Sequence, residues 1–270
     1  MSNNIFFERG QMADKPNNYL WNGDCLELMK DIPDKSMDAI ICDLPYGTTD
    51  CKWDSVIPFE PLWEQYKRII KDNGAIVLFG SQPFTSALIM SNTKMFRYEW
   101  IWQKSRPANF MNAKYQPMKY HENILVFSVK RHNYYPIKFK GNKNHASKPR
   151  NGKLNIYNIK NNKNGVDTND MKYPKSIADF KSTDSTKNLH PTQKPLELLK
   201  YLVRTYTNEN DWVLDNTCGS NTTGIACYDL NRNYIGIEKD IDIYNVAKKR
   251  VEKNILLRAN KPKTLFDYKP

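Results

Sequence analysis

Met37-Asp38-Ala39-Ile40-Ile41-Cys42-Asp43-Leu44-Pro45-Tyr46-Gly47 is the stretch on which the reading of this chain turns. From Ala39 the run is continuously apolar, the pattern of a strand buried on both faces, as in a parallel sheet. A carboxylate, a proline turn and an aromatic ring then arrive together at the carboxyl end of that strand, which is where open α/β sheets bind and transform ligands. Asp, Pro and Gly also favour turns for separate backbone reasons, so taken alone the segment reads equally well as a plain turn.

The rest of the chain weighs on that choice. Its 270 residues are enough to bury a substantial core, as one α/β domain with an insertion or as two domains. A formal net charge of +12 and a pI near 9.3 point to an anionic partner. The five cysteines, Cys25, Cys42, Cys51, Cys218 and Cys227, form no CxxC pair. With no apolar N-terminal signal region and no apolar run of membrane-spanning length, the expectation is a soluble, reduced, cytoplasmic protein that does not engage a membrane. The histidines, His121, His132, His145 and His190, show no paired ligand spacing, so no metal site is expected.

Working outward, Tyr19 to Cys25 reads as a short strand ending in Gly23-Asp24, with a helical pattern at Leu26, Met29 and Ile32 and a stop at Pro33. On its own, Asp24 reads as a helix cap. An amphipathic helix is predicted around Glu60–Lys71, ended by Asn73-Gly74, then a buried strand Ala75–Gly80 and a helix over Ser81–Met90. Two more strands, Arg97–Gln103 and Glu122–Val129, flank a polar loop of about eighteen residues, Lys104 to His121, longer than the usual ~4 to 6 for a connection. Loops of that length are usually functional or disordered.

From Lys130 to Lys187 periodicity fades and the chain carries fourteen Lys/Arg against four Asp, most of the net charge of the whole sequence. Tyr134, Tyr135, Phe139, Tyr157 and Tyr173 are interleaved with those cations, a composition suited to gripping phosphates and stacking on bases. A solvated Lys/Asn-rich insertion is the plainer alternative. Order returns at Leu189-His190-Pro191-Thr192-Gln193-Lys194-Pro195, which opens a helix bearing Leu196, Leu199, Leu202 and Val203. Trp212 to Gly224 then reads as strand, Gly-containing loop and helix onset. Ile225-Ala226 stand where a phosphate loop needs Lys and Ser/Thr, which disfavours nucleoside triphosphate hydrolysis. The strand Asn233–Glu238 ends in an acid 23 residues after Asp215, where nucleoside-binding α/β folds hydrogen-bond ribose hydroxyls. A last helix is predicted over about Asp240–Leu257.

Three segments together resemble the β group of S-adenosylmethionine-dependent DNA amino-methyltransferases: Asp43-Leu44-Pro45-Tyr46, His190 to Pro195, and Asp215-Asn216-Thr217-Cys218-Gly219-Ser220-Asn221-Thr222-Thr223. The family's catalytic loop is Asp/Asn/Ser-Pro-Pro-Tyr/Phe, and its acidic form, as here, resembles the adenine-N6 enzymes. Leu44 departs from it mildly, because the family uses that residue's backbone carbonyl. The cofactor loop departs at Asn216 and Asn221, which replace a Pro and a Gly; Asn tolerates positive φ better than most residues. The resemblance implies a mostly parallel, Rossmann-like α/β sheet of seven strands. Residues 18–129 and 189–257 would form the catalytic domain, catalytic half first, and 130–188 a target-recognition insert.

By resemblance, Asp43, Leu44, Pro45 and Tyr46 are the catalytic candidates. The S-adenosylmethionine candidates are Asp24, Cys25, Asp43, His190, Thr192, Gln193, Lys194, Asp215, Cys218, Gly219, Ser220, Thr222 and Glu238. Candidates for double-stranded DNA are Arg106, Asn109 and Lys114 in the long loop, which in the family closes over a flipped base, and Lys138, Lys140, Lys143, Lys148 and Arg150 in the insert. Cytosine-N4 methylation, RNA methylation and an inactive nucleic-acid binder remain open readings. So do a homodimer and a cognate restriction endonuclease as partners.

Overall fold

The computed structural model describes residues 18–47, 55–142, 170–182 and 193–259. β1 (Asn18–Asn22) leads into the short helix α1 (Cys25–Leu28), which Asp24 caps by accepting a 2.9 Å hydrogen bond from the Leu26 N–H. β2 (Met37–Cys42) is buried along its whole length. α2 (Phe59–Ile69) buries Leu62, Trp63, Tyr66 and Ile69, the stripe of an amphipathic helix. At about 1.5–3 kcal/mol for each large apolar side chain fully buried, that stripe is enough to hold the helix on the sheet.

β3 (Ile70–Gly80) follows without a loop. Asn73-Gly74, expected to end the helix, instead lies inside this strand, at an irregularity where the register with β2 shifts between Met37 and Ala39. A Cβ on Gly74 would sit 2.7 Å from the Ile70 side chain and 2.8 Å from the Asp38 carbonyl oxygen, so close backbone approach is what requires glycine there. After α3 (Phe84–Ser91), β4 (Phe96–Ala108) and β5 (Lys119–Phe127) form an antiparallel hairpin. Both strands run further than expected, because the ladder resumes at Ala108 opposite Lys119 after a register shift. The eighteen-residue loop is therefore a ten-residue tip, Asn109 to Met118, built on a 3-10 turn at Phe110–Asn112.

β6 (Phe139–Lys140) and β7 (Met171–Lys172) pair with each other in a compact unit of their own, Pro136–Lys175. This unit is narrower than the predicted insert. Tyr135 donates its backbone N–H to the Thr205 carbonyl at 2.8 Å, and β8 (Ile177–Asp179) pairs with β4, so both flanks belong to the larger unit. The chain ends with α4 (Leu196–Tyr206), β9 (Trp212–Asp215), α5 (Thr222–Asp229), β10 (Asn233–Glu238) and α6 (Ile241–Ala259).

The main sheet has the order β1-β10-β9-β2-β3-β5-β4-β8. The first five strands in that order pair in parallel, β5 is antiparallel to both neighbours, and β8 adds an eighth strand to the expected seven. Side chains alternate across the sheet: Ile40 and Cys42 enter a core with α2 and α3, whereas Ala39 and Ile41 enter a second with α4. The two halves of the chain meet where β9 lies beside β2, with Ala39 opposite Val213 and Ile40 opposite Leu214. The carboxyl ends of β2, β9 and β10 thereby face one place, the switch point of an open α/β sheet. No described helix is long and apolar enough to cross a membrane.

Candidate active site

A cleft of about 890 Å³ opens at that switch point, a volume suited to a cofactor-sized ligand. The sheet ends deliver its walls: Asp24 and Cys25 after β1, Asp43, Leu44, Pro45 and Tyr46 after β2, Asp215, Cys218, Gly219, Ser220 and Thr222 after β9, and Glu238 ending β10. Gln193 and Lys194, just before α4, and Arg106 on β4 line it too. His190 and Thr192 lie outside the described residues, as do Lys143, Lys148 and Arg150.

The loop after β2 is fixed from three sides. Leu44 is buried in the core, which leaves its backbone as the part free to act on a ligand. The Asp43 carbonyl accepts a 3.0 Å hydrogen bond from the Thr217 hydroxyl, tying the loop to the one after β9. The carboxylate of Asp43 accepts from the Tyr46 hydroxyl at 2.6 Å on Oδ1 and from the Lys194 ammonium on Oδ2. The Tyr46 ring in turn rests against Phe84, with centroids 5.1 Å apart.

The two departures in the loop after β9 have local explanations. Asn216 is buried, and its Oδ1 accepts from the Tyr66 hydroxyl at 2.6 Å and the Cys42 thiol at 3.1 Å, while its Nδ2 donates to Cys25 Sγ at 3.6 Å. A proline could make none of these bonds, so Asn216 knots the loop to β2, α2 and α1 by a different device. Asn221 sits at φ 63°, ψ 43°, the left-handed conformation a glycine would supply, and lies immediately before α5. Gly219 has φ +52°, with no atom within 4 Å of where a Cβ would stand. Arg250 on α6 clamps the same loop, donating to the Ser220 carbonyl at 2.7 Å and to the Thr222 hydroxyl at 2.8 Å.

Acidic groups surround the cleft. Glu238 Oε2 accepts from the Gly219 N–H and Oε1 from the Asp240 N–H, each at 2.9 Å; burial raises its pKa against those bonds. Asp24 accepts from Lys239 at 3.0 Å besides capping α1, so cap and cleft wall are one residue. Asp215 is fully enclosed, and burial, with the charges of Asp43 and Glu238 adding to it, pushes its pKa up to about 7. Among the described residues no group of three or more His, Cys, Asp or Glu could hold a metal ion.

Among the cleft residues that escaped the sequence reading are Lys104 and Glu122. Lys104 pairs with Glu122 Oε1, and Glu122 Oε2 lies 3.4 Å from Lys194 Nζ. The available signal was a lone acid at the polar start of an apolar strand, but its partners depend on the β4–β5 register, which sets Trp102 opposite Glu122. The remaining DNA candidates fall elsewhere. Asn109 opens the hairpin tip in the left-handed conformation (φ 67°), with Lys114 further round it. Phe110, Met111 and Tyr115 on that tip are 72%, 82% and 88% exposed. Lys138 lies over the Tyr173 ring at 4.6 Å and Lys140 is 3.8 Å from Asp170, both within the smaller unit.

A family model described as DNA methylase, covering amino-methyltransferases of the N6 and N4 kinds, matches residues 37–249, most of the chain. The chain belongs to that family. It is 27% identical to the type II methyltransferase M2.MboI of Moraxella bovis, across 88% of this chain and 89% of that protein. It is 28% identical to the type II methyltransferase M.HinfI of Haemophilus influenzae, across 87% of this chain and 68% of that one. Among solved structures, M1.HpyAVI in complex with SAM aligns with a TM-score of 0.59 at 27% identity, covering 86% of this chain and 99% of that chain. The cytosine-N4-specific PvuII DNA methyltransferase aligns with a TM-score of 0.61 at 13% identity, covering 96% of this chain and 100% of that one, a likeness of fold alone. The DNA methylase reading thus rests on a match over most of the chain.

Proposed function

We propose that this DNA methylase is a site-specific adenine-N6 methyltransferase that acts on a base flipped out of duplex DNA, with S-adenosylmethionine, the family's methyl donor, bound in the cleft. The observation that carries the reading is Asp43, a carboxylate at the carboxyl end of β2, aimed into a cleft large enough for donor and base. When bound, the donor supplies an electrophilic methyl group. Asp43 and the Leu44 carbonyl accept the hydrogens of the adenine amino group, turning its lone pair out of the ring, while Tyr46 stacks on the base. A stacked adenine cannot offer that nitrogen, hence the flip. Positioning and preorganised acceptors supply the rate, with no covalent enzyme intermediate.

The cleft chemistry supports the donor. Glu238 keeps lone pairs beyond its two backbone bonds for ribose hydroxyls, Asp24 offers an acceptor to an adenine amine, and Gly219 leaves open space on the loop between them. Lys194 and Asp43 provide a cation and an anion for an amino-acid end. Glu238→Ala should weaken S-adenosylmethionine binding by about 1.5–3 kcal/mol, the value of a charge-assisted hydrogen bond. Calorimetry on folded variant protein measures this, and wild-type affinity would put Glu238 outside the donor site.

On the DNA side, the exposed aromatic tip with Arg106, Asn109 and Lys114 suits contact around the flipped base, and residues 130–188 suit target recognition through their segregated positive charge. Replacing Lys138 and Lys140 by Ala should flatten the dependence of log affinity on log salt by about 0.9 for each phosphate that is no longer neutralised. An unchanged slope removes these two lysines from the interface. The type II relatives make a cognate restriction endonuclease the natural partner to seek, and a homodimer is a second proposal for the assembly. Nucleoside analysis of DNA from cells expressing the chain, with sequencing-based mapping of the modified base, tests the whole reading. N6-methyladenine at a defined site is expected, and N4-methylcytosine in its place would overturn the adenine assignment.

A further inference from the structure

Four charges of alternating sign follow one another along a wall of the cleft: Asp43, Lys194, Glu122 and Lys104. Both oxygens of Asp43 are already engaged, Oδ1 by Tyr46 and Oδ2 by Lys194. Each carboxylate oxygen keeps a second lone pair, so an amino group arriving at Asp43 Oδ2 shares that oxygen with Lys194, whose positive charge weakens it as an acceptor until the ammonium moves away. Its side chain is only 10% exposed, with the ammonium 5.1 Å from the centre of the Phe79 ring, and a largely buried cation left without a counter-charge is costly. Glu122 Oε2 stands 3.4 Å away, buried, and forms the longer of the two ion pairs of Lys194. Lys104 on the other oxygen shares Glu122's charge, which leaves Lys194 on Asp43 before substrate arrives.

We propose that Glu122 is a positioning residue for methyl transfer: its Oε2, already paired with Lys194 at the longer distance, draws the ammonium closer when the target amino group arrives, leaving Asp43 Oδ2 a stronger acceptor for that group. This rests on Asp43 being the acceptor of the proposed reaction. The movement shifts the ammonium between two carboxylates and transfers no proton, so the wall stays neutral throughout.

The test is single-turnover methylation at saturating DNA and S-adenosylmethionine, on protein shown to be folded, for wild type, Glu122→Gln, Glu122→Asp and Asp43→Ala. Glu122→Gln should slow the reaction about tenfold or more, less than removal of a direct transition-state interaction, with DNA and donor affinities little changed. Glu122→Asp, which keeps the charge, should recover most of the rate. The charges of Asp43 and Glu122 hold the Lys194 pKa above its ordinary value against burial, so the Gln variant lowers it. The rate of Glu122→Gln relative to wild type should then rise with pH, as Lys194 sheds its proton, and with it its grip on Asp43, at a lower pH in the variant than in wild type. The other groups around this wall, Asp43, Tyr46, Lys104 and Lys119, with Asp215 near Asp43, are common to both proteins.

A wild-type rate in Glu122→Gln, or an equal loss at every pH that Asp does not repair, overturns the assignment. If Glu122→Gln fails to fold, Lys104→Met gives the opposite sign: Glu122 then draws Lys194 harder and the rate should rise, so a slower enzyme overturns the proposal. The Asp43→Ala control separates the levels. A nearly active Asp43→Ala defeats the acceptor reading and this proposal with it, whereas an inactive one beside an unimpaired Glu122→Gln defeats only the role of Glu122.

Discussion

Asp43→Ala should cut single-turnover methylation by roughly 100-fold to 1000-fold, the loss of about 2.7–4 kcal/mol found when a preorganised electrostatic contact to a transition state is removed. The carboxylate matters more in the transition state than before it, because positive charge grows on the amino nitrogen as the methyl group arrives. Removal also leaves Lys194 with Glu122 alone, so protein stability has to be checked in the same preparation. DNA affinity should fall far less, since the basic residues proposed to hold phosphates are untouched. Donor affinity is the less telling readout, as Asp43 stands among the residues proposed to hold it. If the variant keeps more than about a tenth of the wild-type rate, the loss is under ~1.4 kcal/mol and Asp43 is not the acceptor.

Asp215→Asn should alter the pH dependence of stability in the ligand-free protein. The Asp215 carboxyl titrates near 7 in the fold, against an ordinary value of 3.8. Below about pH 4 it is protonated in both folded and unfolded chains and costs nothing; between about pH 4 and 7 only the folded chain holds the proton, so stability drains away as pH rises. Above about pH 7 the full penalty applies, on the order of 4 kcal/mol at ~1.4 kcal/mol per pH unit. Denaturant titrations of wild type and Asp215→Asn at pH 5 and pH 8 isolate the effect. The Asn variant should gain about 2–3 kcal/mol on wild type between those conditions. A difference that does not change with pH would mean Asp215 is ionised in the fold across the range.

Much of the fold was legible because its signals are local. The apolar run Ala39 to Cys42 is a strand because β-branched and small apolar side chains on both faces suit only a covered sheet, and it is buried end to end. The stripe Leu62, Tyr66, Ile69 declared its helix through spacing alone. Where local signals competed with long-range pairing they lost. Asn73-Gly74 looks like a helix terminator, yet pairing of β3 with β2 drew it into a strand. The polar stretch from Lys104 looks like a loop, yet the β4–β5 ladder carries its start to Ala108, since hairpin hydrogen bonds do not depend on side-chain polarity.

The sequence by itself determined the kinds of groups that arrive at strand ends: the acid after β2, the acid ending β10, the asparagine able to take a positive φ before α5. Those follow from residue type and nearest neighbours. Only the tertiary structure decided which of them meet. Placing β9 beside β2 brings Thr217 onto the Asp43 carbonyl and Asn216 between Cys42 and Cys25, contacts spanning some 150 to 190 positions of chain. The alternation of charge through Lys194, Glu122 and Lys104 likewise exists only once the β4–β5 register and the approach to α4 are set. Ion pairs and buried hydrogen bonds are short-ranged and directional, so a chain displays their members in order but reveals their partners only after the sheet has closed the distance.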